Sequence, residues 1–322
     1  MKQIATDIIE AVNQRRRINS LYLISEANPS FCIQVNGLTV ICLAELGFMS
    51  VAKETTTRLL ASPLYDSNNG LFYSEINEKL EVTNSQVNSG KNAIVSLALS
   101  TTGNINEANR VMDALKTSPL YDPALGLFMR EYNPKTKGIN PLMVTQSNLW
   151  IAIALNKLGR KEESKELLRR LKKEKLDSKR GLFLSQDCRF QDSKPSFYVD
   201  DQSLAIFAYL GLGERDKAQE LVRAVIASPL YDQETGLFNS SFAEDSLDET
   251  KSTYKNSFMG FALGRLNLND ALQRLQTSLV NLLYDPAERL FKQSTKEDIK
   301  IPDNSMLASL ALNYDQNKVF TF

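Results

Sequence analysis

Residues 61–72 read ASPLYDSNNGLF, residues 117–128 TSPLYDPALGLF and residues 227–238 ASPLYDQETGLF. Two looser copies continue the series, KLDSKRGLF at 175–183 and LLYDPAERLF at 282–291, with Arg289 standing where the others carry glycine. The steps Gly70 to Gly126, Gly126 to Gly181, Gly181 to Gly236 and Gly236 to Arg289 are 56, 55, 55 and 53 residues. A period of this length marks a repeat protein whose unit is a helical hairpin with a long connection. The chemistry inside the motif is that of a turn. Asp accepts from backbone amides, Pro favours the preceding bend, Gly takes positive φ, and Leu-Phe returns the chain to the core. A motif present in five copies reads as structural rather than catalytic.

Two kinds of apolar segment with helical period lie between the copies. NLWIAIALNKLG at 148–159 is apolar on nearly all sides and reads as an inner helix, whereas RKEESKELLRRL at 160–171 is strongly amphipathic and reads as an outer one. Inner helices are predicted near 34–47, 90–103, 146–159, 200–213, 254–267 and 303–313. Outer helices are predicted near 3–15, 49–61, 105–117, 161–174, 215–228 and 269–281. The first outer helix and the last inner helix then lack partners in the adjoining sequence. Pairing them closes the series and leaves no exposed end to cap. The expected fold is all-α: a closed (α/α)6 toroid of six helical hairpins over residues 1–322, one domain, with YDxxxGLF turns as links.

Composition narrows the function. Lys plus Arg and Asp plus Glu both number 38, so the chain lacks the global basic field that drives nucleic-acid binding. Apolar residues at 43% and charged residues at 24% allow a sizeable core. No stretch approaches the ~18 consecutive apolar residues of a membrane span, and Asp7 and Glu10 interrupt any signal-peptide apolar region. Cys32, Cys42 and Cys188, an odd number without CxxC spacing, read as free thiols of a cytoplasmic protein, packed as small core residues. The sequence contains no histidine. That excludes His-based triads and His-ligated zinc and leaves Asp, Glu, Lys, Tyr or Cys for proton chemistry; no metal or other cofactor is expected.

A second column runs Asn36, Asn92, Asn148, Gln202, Asn256 and Asn304, with Ser89, Thr145 and Thr253 three residues before three of them. The spacing resembles a capping box, so these residues are expected to terminate the inner helices. Parallel inner helices would gather their N-termini at one rim, presenting free amides and partial positive charge to a central cavity. Differences between repeats at that rim are where chemistry is expected. The pairs before the amide column are Gln34-Val35, Gly90-Lys91, Gln146-Ser147, Asp200-Asp201, Tyr254-Lys255 and Pro302-Asp303. Adjacent Asp200 and Asp201 diverge by about 100° on a helix, so one is expected to face the cavity and the other to cap the terminus. Asp303 and Glu75 are candidates for a second catalytic carboxylate, and Lys91, Lys255 and Arg130 for binding an anionic group. Phe197, Tyr198, Trp150 and Tyr254 are candidate substrate-binding aromatics. Tyr198 and Tyr254 occupy the helix entrances, while Trp150, with Phe258, also suits core filling.

The hairpin period and YDxxxGLF resemble the α/α-toroid superfamilies over nearly the whole chain: six-hairpin glycosidases and epimerases, terpene cyclases, prenyltransferase subunits and lanthionine cyclases. The resemblance implies the toroid and a small-molecule enzyme. It also implies exclusions, because the zinc-dependent members use histidine and the epimerases usually rely on it. The first expectation is carboxylic-acid-initiated cyclisation or isomerisation, since Val199-Asp200-Asp201-Gln202 is similar to part of the DxDD motif of class II terpene cyclases. A glycoside hydrolase or polysaccharide lyase, needing two carboxylates or a base with a neutraliser, is the alternative. A non-catalytic ligand-binding or protein-interaction scaffold is the third reading. The expected partner is a small molecule, anionic or isoprenoid.

Overall fold

A computed structural model describes residues 2–24, 29–185 and 194–312; Cys188 and the expected last residue of the final helix, Asn313, lie outside the described residues. Twelve helices are present among them. The first six are α1 (Lys2–Arg16), α2 (Ile33–Glu45), α3 (Met49–Ala61), α4 (Ser89–Thr101), α5 (Ile105–Thr117) and α6 (Thr145–Lys157). The rest are α7 (Lys161–Lys175), α8 (Val199–Gly211), α9 (Arg215–Ile226), α10 (Thr253–Arg265), α11 (Asn269–Leu283) and α12 (Pro302–Leu312). Even-numbered helices are the inner ones: from Ser89 to Ser100 every residue of α4 but Lys91 is buried. Odd-numbered helices bury one stripe, as α5 does with Ala108, Val111, Met112 and Leu115, the i, i+3, i+4, i+7 spacing of a single covered face.

The all-α expectation needs correcting at the connections, which among the described residues hold nineteen strands of two or three residues. The YDxxxGLF copies are antiparallel hairpins: Tyr65 pairs with Phe72 and Asp66 with Leu71, and Tyr121 pairs with Phe128 and Asp122 with Leu127. The Asp122 carboxylate accepts from the N–H groups of Ala124 and Leu125 at 2.8 and 3.1 Å, closing the turn. Gly236 takes φ +74°, and Arg289, at the same place in its copy, takes φ +59° despite its Cβ. A sixth hairpin escaped the sequence reading. Arg17 pairs with Tyr22 and Ile18 with Leu21 across Asn19 and Ser20, both left-handed, a two-residue turn that needs neither the motif's Asp nor its Gly.

The amide column fastens each inner helix to its hairpin. Asn92 accepts from the Phe72 N–H at 2.8 Å and donates to its carbonyl at 3.0 Å, and Asn36 does the same for Tyr22 at 2.7 and 2.9 Å. Asn148, Gln202 and Asn256 hold Phe128, Phe183 and Phe238 in this way. This corrects the capping expectation, because an amide carries both a donor and an acceptor and so satisfies both backbone groups of one residue, as a neighbouring strand would. True side-chain caps sit four residues before the clamp, at Asn88 and Ser252. The Ser89 and Thr253 hydroxyls instead donate to the Met129 and Lys292 carbonyls at 2.8 and 2.6 Å. In α12 the clamp is Ser305 on Phe291, so the column ends at Ser305 and not at Asn304.

The described chain divides into two compact units. In residues 16–174, α2 packs on α4 and α4 on α6, with α3 against α2 and α5 against α4. In residues 2–15 with 175–312, α8 packs on α10 and α10 on α12, with α9 against α8 and α11 against α10. The N-terminal helix belongs to this second unit, where the Glu10 carboxylate lies 3.7 Å from the Arg289 guanidinium and Asp7 acts electrostatically on Tyr284.

Candidate active site

The clamp fixes helix register. It is the fourth residue of every inner helix, so the second residues are Gln34, Gly90, Gln146, Asp200, Tyr254 and Asp303. The third residues are Val35, Lys91, Ser147, Asp201, Lys255 and Asn304. Asp303 therefore aligns with Asp200, one position from where the sequence placed it. The register also says which positions meet. A Cβ added to Gly90 would lie 2.9 Å from Ser147 Cα, so the second residue of α4 approaches the third residue of α6. The same relation on α8 and α10 puts Asp200 beside Lys255, with Nζ 3.6 Å from Oδ1. Lys255 Nζ also sits 4.7 Å above the Tyr198 ring and donates to the Ser240 carbonyl at 3.2 Å.

Asp201 is almost wholly buried. Burial, then the charge of Asp200, pushes its carboxyl well above the usual carboxylate range, against the Ser185 hydrogen bond and the ammonium groups of Lys255 and Lys175. Its Oδ2 is buried and meets no hydrogen-bond partner among the described residues. The N-cap of α8 is Tyr198, so neither aspartate holds the capping position expected for one of them. On α12, burial raises Asp303 to about 6, although its carboxylate accepts from the Asn304 N–H at 2.9 Å. Tyr254 meets Phe258 edge to face at 4.8 Å.

The remaining candidates are placed as follows. Phe197 is buried and stacks on Phe242 at 4.8 Å, so its ring faces packing partners. Trp150, Glu75, Lys91 and Arg130 belong to the unit of residues 16–174. Trp150 is fully buried in α6, Glu75 lies in a short strand opposite Cys32 and Asn84, and the Lys91 N–H is capped by Asn88. Arg130 is half-exposed and lies 3.5 Å from Glu131. What the structure brings together is Tyr198, Asp200, Asp201 and Lys255, plus two residues the sequence reading missed, Lys175 and Ser185. The signal for Lys175 was present as KLD in place of LYD in one motif copy, whereas Ser185 repeats a serine that Ser74 and Ser240 supply two residues after the phenylalanine in two other copies.

No protein-family model matches the sequence, and no curated protein matches it. Solved structures do. Cellobiose 2-epimerase from Bacillus thermoamylovorans is 11% identical at a TM-score of 0.78, covering 98% of this chain and 100% of its own. A D-mannose isomerase is 14% identical at 0.77, covering 96% of both chains. An α-mannanase of glycoside hydrolase family 76 from Bacteroides thetaiotaomicron is 10% identical at 0.69, covering 97% and 95%. The chain has the six-hairpin α/α-toroid fold. At these identities the likeness carries the fold alone. Terpene cyclase-like cyclisation draws no support from these toroids, and Tyr198 stands where a DxDD motif would carry its first acid.

Proposed function

We propose that this toroid processes sugars by hydrolysing a glycosidic bond, with Asp201 as the acid and Asp200 as the partnering carboxylate. The observation that carries this reading is the adjacent pair itself. One carboxyl has its proton affinity raised by burial and by its neighbour, and the other is ion-paired with Lys255. Two carboxyl groups whose environments push their proton affinities apart are the arrangement that acid-assisted glycoside cleavage requires. Asp201 protonates the leaving oxygen as its bond to the anomeric carbon breaks. Asp200 meets the cationic sugar, directly or through an activated water, and Lys255 holds that carboxylate in place. Tyr198 and Tyr254 offer rings for the sugar faces, and Asp303 holds a substrate hydroxyl. A sugar thus replaces the isoprenoid of the sequence reading.

Epimerisation or isomerisation is the second reading, favoured by the higher TM-scores of the epimerase and the isomerase. It needs a base that removes a C–H proton, and this chain has no histidine for that work. One experiment separates the two. The protein is incubated with panels of oligosaccharides and of reducing sugars, and products are resolved by chromatography. New reducing ends, lost in both Asp200→Asn and Asp201→Asn, are expected. Products of unchanged mass but altered configuration would put epimerisation first, and full hydrolysis by both variants would remove the pair from the mechanism.

A further inference from the structure

Four of the five motif copies carry a leucine just before the hairpin's first strand: Leu64, Leu120, Leu230 and Leu283, each with no exposed surface. The fifth carries Lys175, itself only 3% exposed. Backbone hydrogen bonds confirm that these positions are equivalent. The residue after the motif phenylalanine donates to this carbonyl in every copy: Tyr73 to Leu64 at 2.8 Å, Met129 to Leu120 at 2.7 Å, Leu184 to Lys175 at 2.8 Å, Asn239 to Leu230 at 2.7 Å and Lys292 to Leu283 at 2.9 Å. A lysine thus occupies a core-leucine site, where an ammonium loses its water and needs a counter-charge. Folding of the hairpin does not call for it, since leucine serves in the other four copies.

The hairpin that carries Lys175 is the one fastened to α8. Leu176 pairs with Phe183, Gln202 holds Phe183 by both backbone groups, and Ser185, two residues on, hydrogen bonds to Asp201. The hairpin places Ser185 in hydrogen-bond contact with Asp201 and Lys175 within electrostatic reach of it, while α10 brings Lys255 to Asp200 and within electrostatic reach of Asp201.

We propose that Lys175 is a positioning residue for Asp201, its buried ammonium serving as the counter-charge that lets Asp201 give up a proton and remain a carboxylate inside the protein. The proposal rests on the glycosidase reading for what the proton does. It moves from Asp201 to the glycosidic oxygen, the bond from that oxygen to the anomeric carbon breaks, and the leaving group departs as a neutral alcohol. Water that attacks the sugar carbon returns a proton to Asp201, directly or by way of Asp200. Between those events two adjacent carboxylates, Asp200 and Asp201, face two ammonium groups, Lys255 and Lys175. Without Lys175 the buried Asp201 carboxylate keeps only the Lys255 ammonium, which Asp200 already shares, and the proton is held more tightly.

The test restores the residue of the other copies. Lys175→Leu is expected to melt no lower than wild type at mildly acidic pH. The carboxyl infrared band assigned to Asp201 by its loss in Asp201→Asn is expected to titrate at higher pH in the variant. With a hydrolysed substrate in hand, kcat is expected to fall at least about 10-fold and the alkaline limb of its pH profile to move upward. A lower melting temperature with an unmoved Asp201 titration would make Lys175 a structural residue and overturn the proposal. If Lys175→Leu does not fold, the lysine itself is read: NMR of its ammonium is expected to show easier deprotonation in Asp201→Asn than in wild type, and no change overturns the pairing. The infrared and NMR readouts need no substrate, so a protein that cleaves no glycan yet shows these shifts removes the glycosidase reading and leaves the pairing intact.

Discussion

Asn148 holds both backbone polar groups of Phe128, accepting from its N–H at 2.8 Å and donating to its carbonyl at 2.9 Å. The same amide donates to the Val144 carbonyl of its own helix at 3.1 Å, so one buried side chain ties a hairpin to an inner helix. Asn148→Ala removes these bonds and leaves the Phe128 groups buried without partners. A loss of roughly 2–4 kcal/mol is expected, read from urea unfolding midpoints. A loss under about 1 kcal/mol would show that the clamp is replaceable.

Much of this was legible in the sequence, and the misreadings have physical causes. The predicted helix ends fall within two residues of those observed, because an apolar period reports burial directly. The amide column was visible as a pattern, but its partner was not: Asn148 and Phe128 are 20 residues apart and nothing local links them. The Arg17–Tyr22 hairpin was hidden because a two-residue turn built on left-handed Asn19 and Ser20 uses other residues for the same job. Asp200 and Asp201 stood out as a pair, whereas the meeting of Asp200 with Lys255 depends on how the second residue of one helix approaches the third of the next.

Asp122→Ala should cost about 1 kcal/mol, the usual value of a turn or cap hydrogen bond, since its carboxylate accepts from Ala124 and Leu125 at the surface. Turnover should be unchanged. An inactive variant of wild-type stability would assign the motif aspartate a chemical role.

α1 lies in the same unit as the C-terminal segments, where an outer helix that partners the final hairpin is expected. Ile8, Ile9, Ala11 and Val12 of that helix are buried, and Glu10 approaches Arg289. Removing residues 1–17 is expected to lower the melting temperature and to increase binding of a hydrophobic dye. A truncated protein that melts as wild type does would refute closure.

Acid should loosen the hairpin around Asp232. Burial would raise this carboxyl, but Lys251, 2.9 Å away, with Thr235 and the amides of Thr235 and Glu234, outweighs burial and holds it at about 2, below its ordinary 3.8. A depressed carboxylate stabilises the fold fully above its ordinary value, and that contribution disappears as pH falls from 3.8 through about 2. Melting temperatures measured across this window should fall more steeply for wild type than for Asp232→Asn. Parallel curves would mean that Lys251 and Asp232 do not interact in solution.

Asp303 runs the opposite way. The residue is 4% exposed and burial lifts its carboxyl to about 6, from an ordinary 3.8. A carboxyl raised in the folded state favours folding where it is protonated, below its unfolded value, and penalises it increasingly as pH climbs from 3.8 to about 6. Asp303→Asn keeps an acceptor for the Asn304 N–H and discards the buried charge. The variant should therefore be more stable than wild type at neutral pH by roughly 2–3 kcal/mol, and no more stable near pH 4. If the carboxylate holds a substrate hydroxyl, as its register with Asp200 supports, the same change should raise KM and leave kcat nearly untouched. A buried charge then costs stability and contributes binding at one residue. An Asp303→Asn protein with wild-type KM would reduce Asp303 to a buried acid without a task, and one no more stable at pH 8 than at pH 4, relative to wild type, would show that water reaches the carboxylate.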